Sequence, residues 1–214
     1  MKTLVKTVFA MALMAIVLSS SAFDSLAADK NKRETEIALP LEFNKVVVTG
    51  NVRVMLIQGN KQGVIIHEDY NRKLTSVKQK GDRLYISSNE SEPVHIDVYL
   101  KDLQRIDAAN SASVSTKGKF SANVLQVFLR DKARAFIHAE IGSLYTVIKD
   151  QAGLKLKGST NDHTLVKDDI ARLKMDQFAA LTTTIEPQEV QYKLPGYKPG
   201  NSKDSVIAER KVRH

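Results

Sequence analysis

The chain has 214 residues, which is enough for one well-buried domain with short segments to spare at both ends. Its hydrophobic fraction of 43% and charged fraction of 26% are typical of globular proteins and exclude wholesale disorder. The absence of cysteine excludes disulfides, thiolate metal sites, a cysteine nucleophile and a lipidated cysteine anchor, and the net charge of +8 favours anionic partners.

The first 27 residues have the pattern of a secretory signal peptide. Lys2 and Lys6 give a positive start, residues 8–18 are almost entirely apolar, and small residues surround Ala27. A transmembrane anchor is the alternative, but a run of about 11 residues is well short of the roughly 20 needed to span a bilayer. We therefore expect cleavage near Ala27 and export to the periplasm, the outer envelope or the secreted fraction.

The predicted mature chain remains basic. It keeps 30 Lys and Arg residues against 23 Asp and Glu residues, a net charge of about +7. A basic exported protein meets anionic polysaccharides and lipid surfaces before it meets nucleic acid, so we expect a partner of that kind and no nucleic acid. A solubilising charge without a partner is the alternative, and no feature of the sequence sets the oligomeric state.

The body of the chain reads as a series of strands. Residues 28–42 form a lead-in without helical or strand period, and β-branched runs begin after Phe43. Gly, Asn and Pro residues separate these runs, which is typical of strands joined by turns. The predicted strands of this first half cover residues 46–48, 52–57, 64–66, 84–86 and 94–100.

A repeat of 19 residues organises the second half. Asp131, Asp150 and Asp169 each open the same pattern, and a related copy begins at Asn110, 21 residues before the first of them. The stretch from Gly50 has the same shape. Asn and Asp tolerate positive φ better than other residues with a side chain, so we expect a left-handed corner at these positions.

Within each copy, apolar or small residues alternate with mostly charged ones, which is the period of a strand with one buried face. We expect Ala133, Ala152 and Ala171 to face inward. Parallel stacking of such copies predicts an all-β parallel β-helix, a single-stranded solenoid with coils of about 19–21 residues, over residues 43–186. His163 would then face inward, so the last coil is expected to be irregular, and residues 187–214 are expected to form a flexible basic tail.

The order of these motifs resembles the head GIN domain family of putative autotransporter adhesins, found in Bacteroidetes-type envelopes. The resemblance covers about residues 43–185 and implies a β-helical envelope protein. It rests on Phe43-x-x-Val46-x-Val48-x-Gly50-x-Val52-x-Val54, Ile57-Gln58-Gly59, Gly81-Asp82-x-Leu84-x-Ile86 and Val94-x-Ile96-x-Val98-x-Leu100.

Stacked coils would place Asp131, Asp150 and Asp169 in a column about 5 Å apart, a spacing at which one cation bridges two carboxylates. A calcium ladder is one interpretation of this column. The other is a turn role, because Asn and Asp side chains cap their own turns and each copy supplies only one carboxylate. We favour the turn role and expect no metal and no cofactor.

The outward residues of the repeat form basic columns. Arg134 and Arg172 share one column, Lys155 and Lys174 the next, and Lys157 stands beyond them. A sheet face with these cations could bind an anionic polysaccharide or lipid headgroups, and a solvated face that discourages aggregation is the alternative.

No catalytic constellation is present in the sequence. The five histidines share no repeat position, and the Ser-rich strand after Asn110 lacks a G-x-S-x-G elbow. We therefore predict a non-enzymatic exported module, adhesin-like or structural. The alternative is a polysaccharide-degrading β-helix enzyme, which would need paired carboxylates in one cleft rather than one acid per coil.

Overall fold

The computed structural model describes residues 34–67, 69–118 and 120–187. The predicted signal peptide and residues 188–214 of the predicted tail lie outside the described residues. No helix within the described ranges is long and apolar enough to cross a membrane.

The described part of the chain is all-β, as predicted. Thirteen strands follow one another, and the runs predicted in the first half all fall within them. In chain order they are β1 (Thr35–Ile37), β2 (Lys45–Gly50), β3 (Val52–Gln58), β4 (Gly63–Ile66), β5 (Thr75–Lys80), β6 (Arg83–Ser88), β7 (Val94–Leu100), β8 (Arg105–Ala109), β9 (Ser113–Thr116), β10 (Phe120–Leu129), β11 (Arg134–Ile148), β12 (Gly153–Lys167) and β13 (Arg172–Ile185).

These strands form one curled sheet that is mixed rather than wholly parallel. The sequence predicted parallel coils throughout residues 43–186, and this was wrong for β4 and β5, which pair antiparallel with β7 and β6. The two residues Gly81 and Asp82 connect β5 to β6, and such a short connection joins only antiparallel neighbours. The lead-in also contributes a strand, because β1 pairs antiparallel with β4.

The 19-residue repeat appears directly in the strand register. Arg134 of β11 pairs with Gly153 of β12, and Gly153 pairs in turn with Arg172 of β13, in parallel ladders. The ladder between β10 and β11 has the same offset. Ala133, Ala152 and Ala171 are all buried, so the predicted inward column is confirmed.

The corners of the repeat are left-handed, as the residue types predicted. Asn110, Asp131 and Asp150 have φ of 59°, 59° and 55°. The Asp131 carboxylate accepts a hydrogen bond from the Asn110 amide at 2.9 Å, and the Asp150 carboxylate accepts one from the Asp131 amide at 3.0 Å. The next link in this ladder is Asp168, not Asp169, and it accepts from the Asp150 amide at 2.9 Å.

A second bend divides the long strands into two halves. Residues 134–136 of β11 pair with β9, whereas residues 139–148 pair with β10. Gly142 lies unpaired inside this second stretch, and a Cβ there would be 2.5 Å from the Asn123 carbonyl oxygen. Gly158 in β12 has φ of 109°, and a Cβ there would be 2.0 Å from the Ala139 carbonyl oxygen. Neighbouring coils therefore approach too closely at these positions for any side chain.

His163 lies in the core, in the column of Leu144 and Thr183, and is 1% exposed. The imidazole Nε2 is 2.9 Å from the Thr146 hydroxyl, and the ring meets Phe178 edge-on. Burial lowers the pKa of His163 below its ordinary value of 6.5, because the charged form is poorly solvated there.

The first prediction concerns the close approach of the coils. We expect Gly158→Ala to lower the free energy of unfolding by about 3 kcal/mol or more, through backbone strain and the clash with Ala139. Gly153→Ala is the matched control, since a Cβ at Gly153 meets nothing within 4 Å, and it should change stability by less than about 1 kcal/mol. Equal denaturant midpoints for the two variants would contradict this account of the bend.

The second prediction concerns pH. The pKa of His163 is lower in the folded chain than in the unfolded chain, so the unfolded state binds the proton first as pH falls. The stability due to neutral His163 is therefore complete above pH 6.5 and is lost as pH falls through that value towards the lowered folded pKa. Urea unfolding between pH 7.5 and 5 should show a flatter pH dependence for His163→Leu than for the parent, and parallel curves would refute it.

Candidate anion-binding groove

One outer face of the sheet is built from β9 and the first halves of β11, β12 and β13. Because strand residues alternate between two faces, every second side chain of these strands points outward. The register places Arg134, Gly153 and Arg172 in one column and Phe136, Lys155 and Lys174 in the next. The two basic columns expected from the repeat are therefore real neighbours in space.

A surface groove of about 550 Å³ runs across this face. Its lining contains no Asp or Glu, and eight of its residues are uncharged. The charged lining residues are five cations, Lys132, Arg134, Lys155, Arg172 and Lys174, and all five are exposed. The groove therefore concentrates positive charge in a concave surface, where the field of several like charges adds.

None of these five cations forms an ion pair with an acid in residues 34–67, 69–118 or 120–187. Elsewhere the sheet pairs its cations. Lys45 donates to the Asp82 carboxylate at 2.6 Å and lowers the pKa of that carboxyl. Arg105 donates two hydrogen bonds to Asp107, at 2.7 and 2.8 Å. The groove cations are thus available to an anion from outside the chain.

An aromatic ring lies beside this charge. Phe136 is 37% exposed, and the Lys155 ammonium is 5.4 Å from the centroid of its ring. This distance is within the range of a cation–π contact. The groove therefore offers an apolar ring face next to a cation.

Lys157 does not line the groove. It is half-buried, lies two residues further along β12 and pairs with His138 on one side and Gln177 on the other. The ladder between β12 and β13 has a bulge between Lys155 and Lys157, so the column beyond Lys155 no longer follows the 19-residue offset. The structure therefore separates Lys157 from the four other predicted binding residues.

The sequence analysis missed three groove residues. Lys132 and Gln151 follow the corner residues Asp131 and Asp150, at the same position of the repeat, and Gly153 lies between the two arginines. The repeat position of Lys132 could have indicated it, because a residue at a corner next to an outward column faces the same side.

The Asp column does not form a metal cluster. In the part of the chain that the structure describes, no group of three or more His, Cys, Asp or Glu side chains could hold a metal ion. The carboxylates of Asp131 and Asp150 accept hydrogen bonds from the amides of the preceding corners, and Asp169 is not part of that ladder. These contacts support the turn role.

A second groove of about 440 Å³ contains acids as well as bases, including Arg53, Asp69, Glu90, Glu92 and His95. Glu90 accepts a hydrogen bond from the Asn71 amide at 2.7 Å and lies 3.4 Å from the Thr75 hydroxyl. Its carboxylate thus holds the loop before β5. The mixture of charges makes this groove a poorer anion site than the first.

Known proteins share this fold. A putative adhesin of Bacteroides fragilis is 16% identical, with a TM-score of 0.62 over 72% of this chain and 75% of that protein. A putative adhesin of Parabacteroides distasonis is 12% identical, with a TM-score of 0.53 over 72% and 77% of the two chains. A putative lipid binding protein of the same species is 12% identical, with a TM-score of 0.52 over 74% and 79%.

At these identities the likeness concerns the fold alone, and no curated protein matches the chain. A family profile described as "Putative auto-transporter adhesin, head GIN domain" matches residues 42–188. The matched segment is more than half of the chain and includes every strand from β2 to β13. The chain therefore belongs to the head GIN domain family.

Proposed function

We propose that this chain is an exported, non-enzymatic binding module of the cell envelope whose basic groove holds an anionic polymer or anionic headgroups. The observation that carries the proposal is the set of five cations in one concave surface, none of them paired with an acid in the described ranges. Such a surface attracts and orients anions through the summed field of its charges.

The relatives support a binding role. Two of them are named as adhesins and one as a lipid binding protein, and both descriptions concern contact with an envelope or a surface. Export is supported by the positive, apolar and small-residue segments before Ala28. We further propose that the parallel ladders from β8 to β13 form a short β-helix, which the constant 19-residue offset supports.

A polysaccharide-degrading enzyme is less well supported. Acid catalysis of glycoside cleavage needs two carboxyl groups that face one bond. The basic groove contains no carboxylate, and the Glu90 carboxylate of the second groove is committed to the loop before β5. Binding without bond cleavage therefore fits the residues better.

The third prediction tests the basic groove by charge reversal. Each exposed ion pair contributes about 0.2–1 kcal/mol, and Lys155→Glu/Lys174→Glu replaces two attractions by two repulsions, so we expect about tenfold weaker binding or more. The assay is calorimetric titration of the mature chain with oligogalacturonate or with phosphatidylglycerol vesicles, at several salt concentrations. Parent affinity should fall steadily as salt screens the charges.

The matched control is Lys78→Glu/Lys80→Glu. Both lysines are exposed on β5, outside the groove, and their reversal changes the net charge by the same amount. The control should bind nearly as well as the parent. Equal losses in both double variants, or binding that ignores salt, would show that the groove is only a solvated surface.

A further inference from the structure

We infer that the ligand of the groove is a linear acidic polysaccharide that crosses the strands, with one sugar ring on Phe136 and carboxylates on Lys155 and Lys174. This inference rests on the proposed function and deepens it, because it specifies the class of anion and the direction of the bound chain.

The direction follows from the placement of the charges. Lys155 and Lys174 are direct partners on neighbouring parallel strands, so their backbones are about 4.8 Å apart. Arg134 and Arg172 lie two strand spacings apart in the adjacent column. The positive charge thus repeats across the strands, and a polymer with regularly spaced anions meets successive cations only if it runs in that direction.

Gly153 leaves this path open. It lies between Arg134 and Arg172 in the same column and presents no side chain to the groove. Its backbone does not require glycine, since its φ is not positive and an added Cβ would meet nothing within 4 Å. A side chain at Gly153 would therefore fill the groove without strain in the fold.

The other lining groups suit a sugar more than a simple anion. The exposed face of Phe136 can pack against the C–H face of a pyranose ring, while Lys155 beside it pairs with a carboxylate on that ring. Ser113, Ser115 and Gln151 supply hydroxyl and amide groups for hydrogen bonds to sugar hydroxyls. An apolar face, hydroxyls and carboxylates occur together in a uronic acid polymer.

The shape of the site favours a chain over a membrane. A bilayer surface is flat on this scale and makes its contacts with protruding residues, whereas these cations line a recess of about 550 Å³. A polymer strand enters such a recess and pairs with cations on both of its walls.

The fourth prediction tests the inference with variants that keep the charge. Gly153→Leu should weaken binding of an oligogalacturonate at least about tenfold, while Gly63→Leu, another strand glycine with open space around it, should leave binding unchanged. Phe136→Leu should weaken oligogalacturonate binding but not binding of polyglutamate, which has carboxylates and no sugar ring. Parent affinity should rise with oligomer length, and galacturonic acid monomer should bind weakly. Circular dichroism should show that all three variants remain folded.

Three results would overturn the inference. The first is unchanged oligogalacturonate binding by Gly153→Leu and Phe136→Leu, and the second is parent binding to polyglutamate as tight as to oligogalacturonate. The third is binding to phosphatidylglycerol vesicles alone. If Lys155→Glu/Lys174→Glu loses binding in any of these cases, the proposed function stands and only the polysaccharide assignment fails. If the parent binds none of these probes, both fail.

Discussion

The parallel hydrogen-bonded register between β11, β12 and β13 is the constraint on which the rest of the structure depends. A constant offset of 19 residues places equivalent side chains one above another, so a single sequence pattern produces an inward column, a corner column and outward columns together. A slip of one residue would turn every side chain to the opposite face, moving Arg134 into the core and Ala135 into solvent. The left-handed corners at Asp131 and Asp150 hold this register, because each carboxylate bonds to the amide of the corner before it.

The same register has an electrostatic cost. Lys155 and Lys174 stand directly opposite each other, and like charges in that arrangement destabilise a sheet. No acid of the described ranges offsets this repulsion in the groove, although acids do neutralise Lys45 and Arg105 on the other half of the sheet. Repulsion between unpaired cations is relieved when an anion binds. An arrangement that costs stability in the free protein and is neutralised by a ligand is expected of a binding surface, since stability and function compete at such sites.

Sequence periodicity predicted the all-β class, the strands of the first half, the inward alanines and the two basic columns, because all of these follow from a period of two and an offset of 19. It could not predict the antiparallel β5, since Thr75–Lys80 has no clear alternation and its pairing depends on a tight turn. The substitution of Asp168 for Asp169 and the separation of Lys157 both arise near the last coil, where the regular offset ends. His163 is buried because Leu144 and Thr183 stack on it, a tertiary effect that overrides its polarity.

The most direct test of this account is an amide chemical-shift titration of the mature chain with a short oligogalacturonate. The amides of Ser113, Arg134, Gly153, Lys155 and Lys174 should shift together and saturate at one concentration, while those of β5 and β6 stay unchanged. Shifts centred on the second groove around Glu90 and His95, or spread evenly over all exposed lysines, would contradict the claim that the stacked basic columns form the binding site.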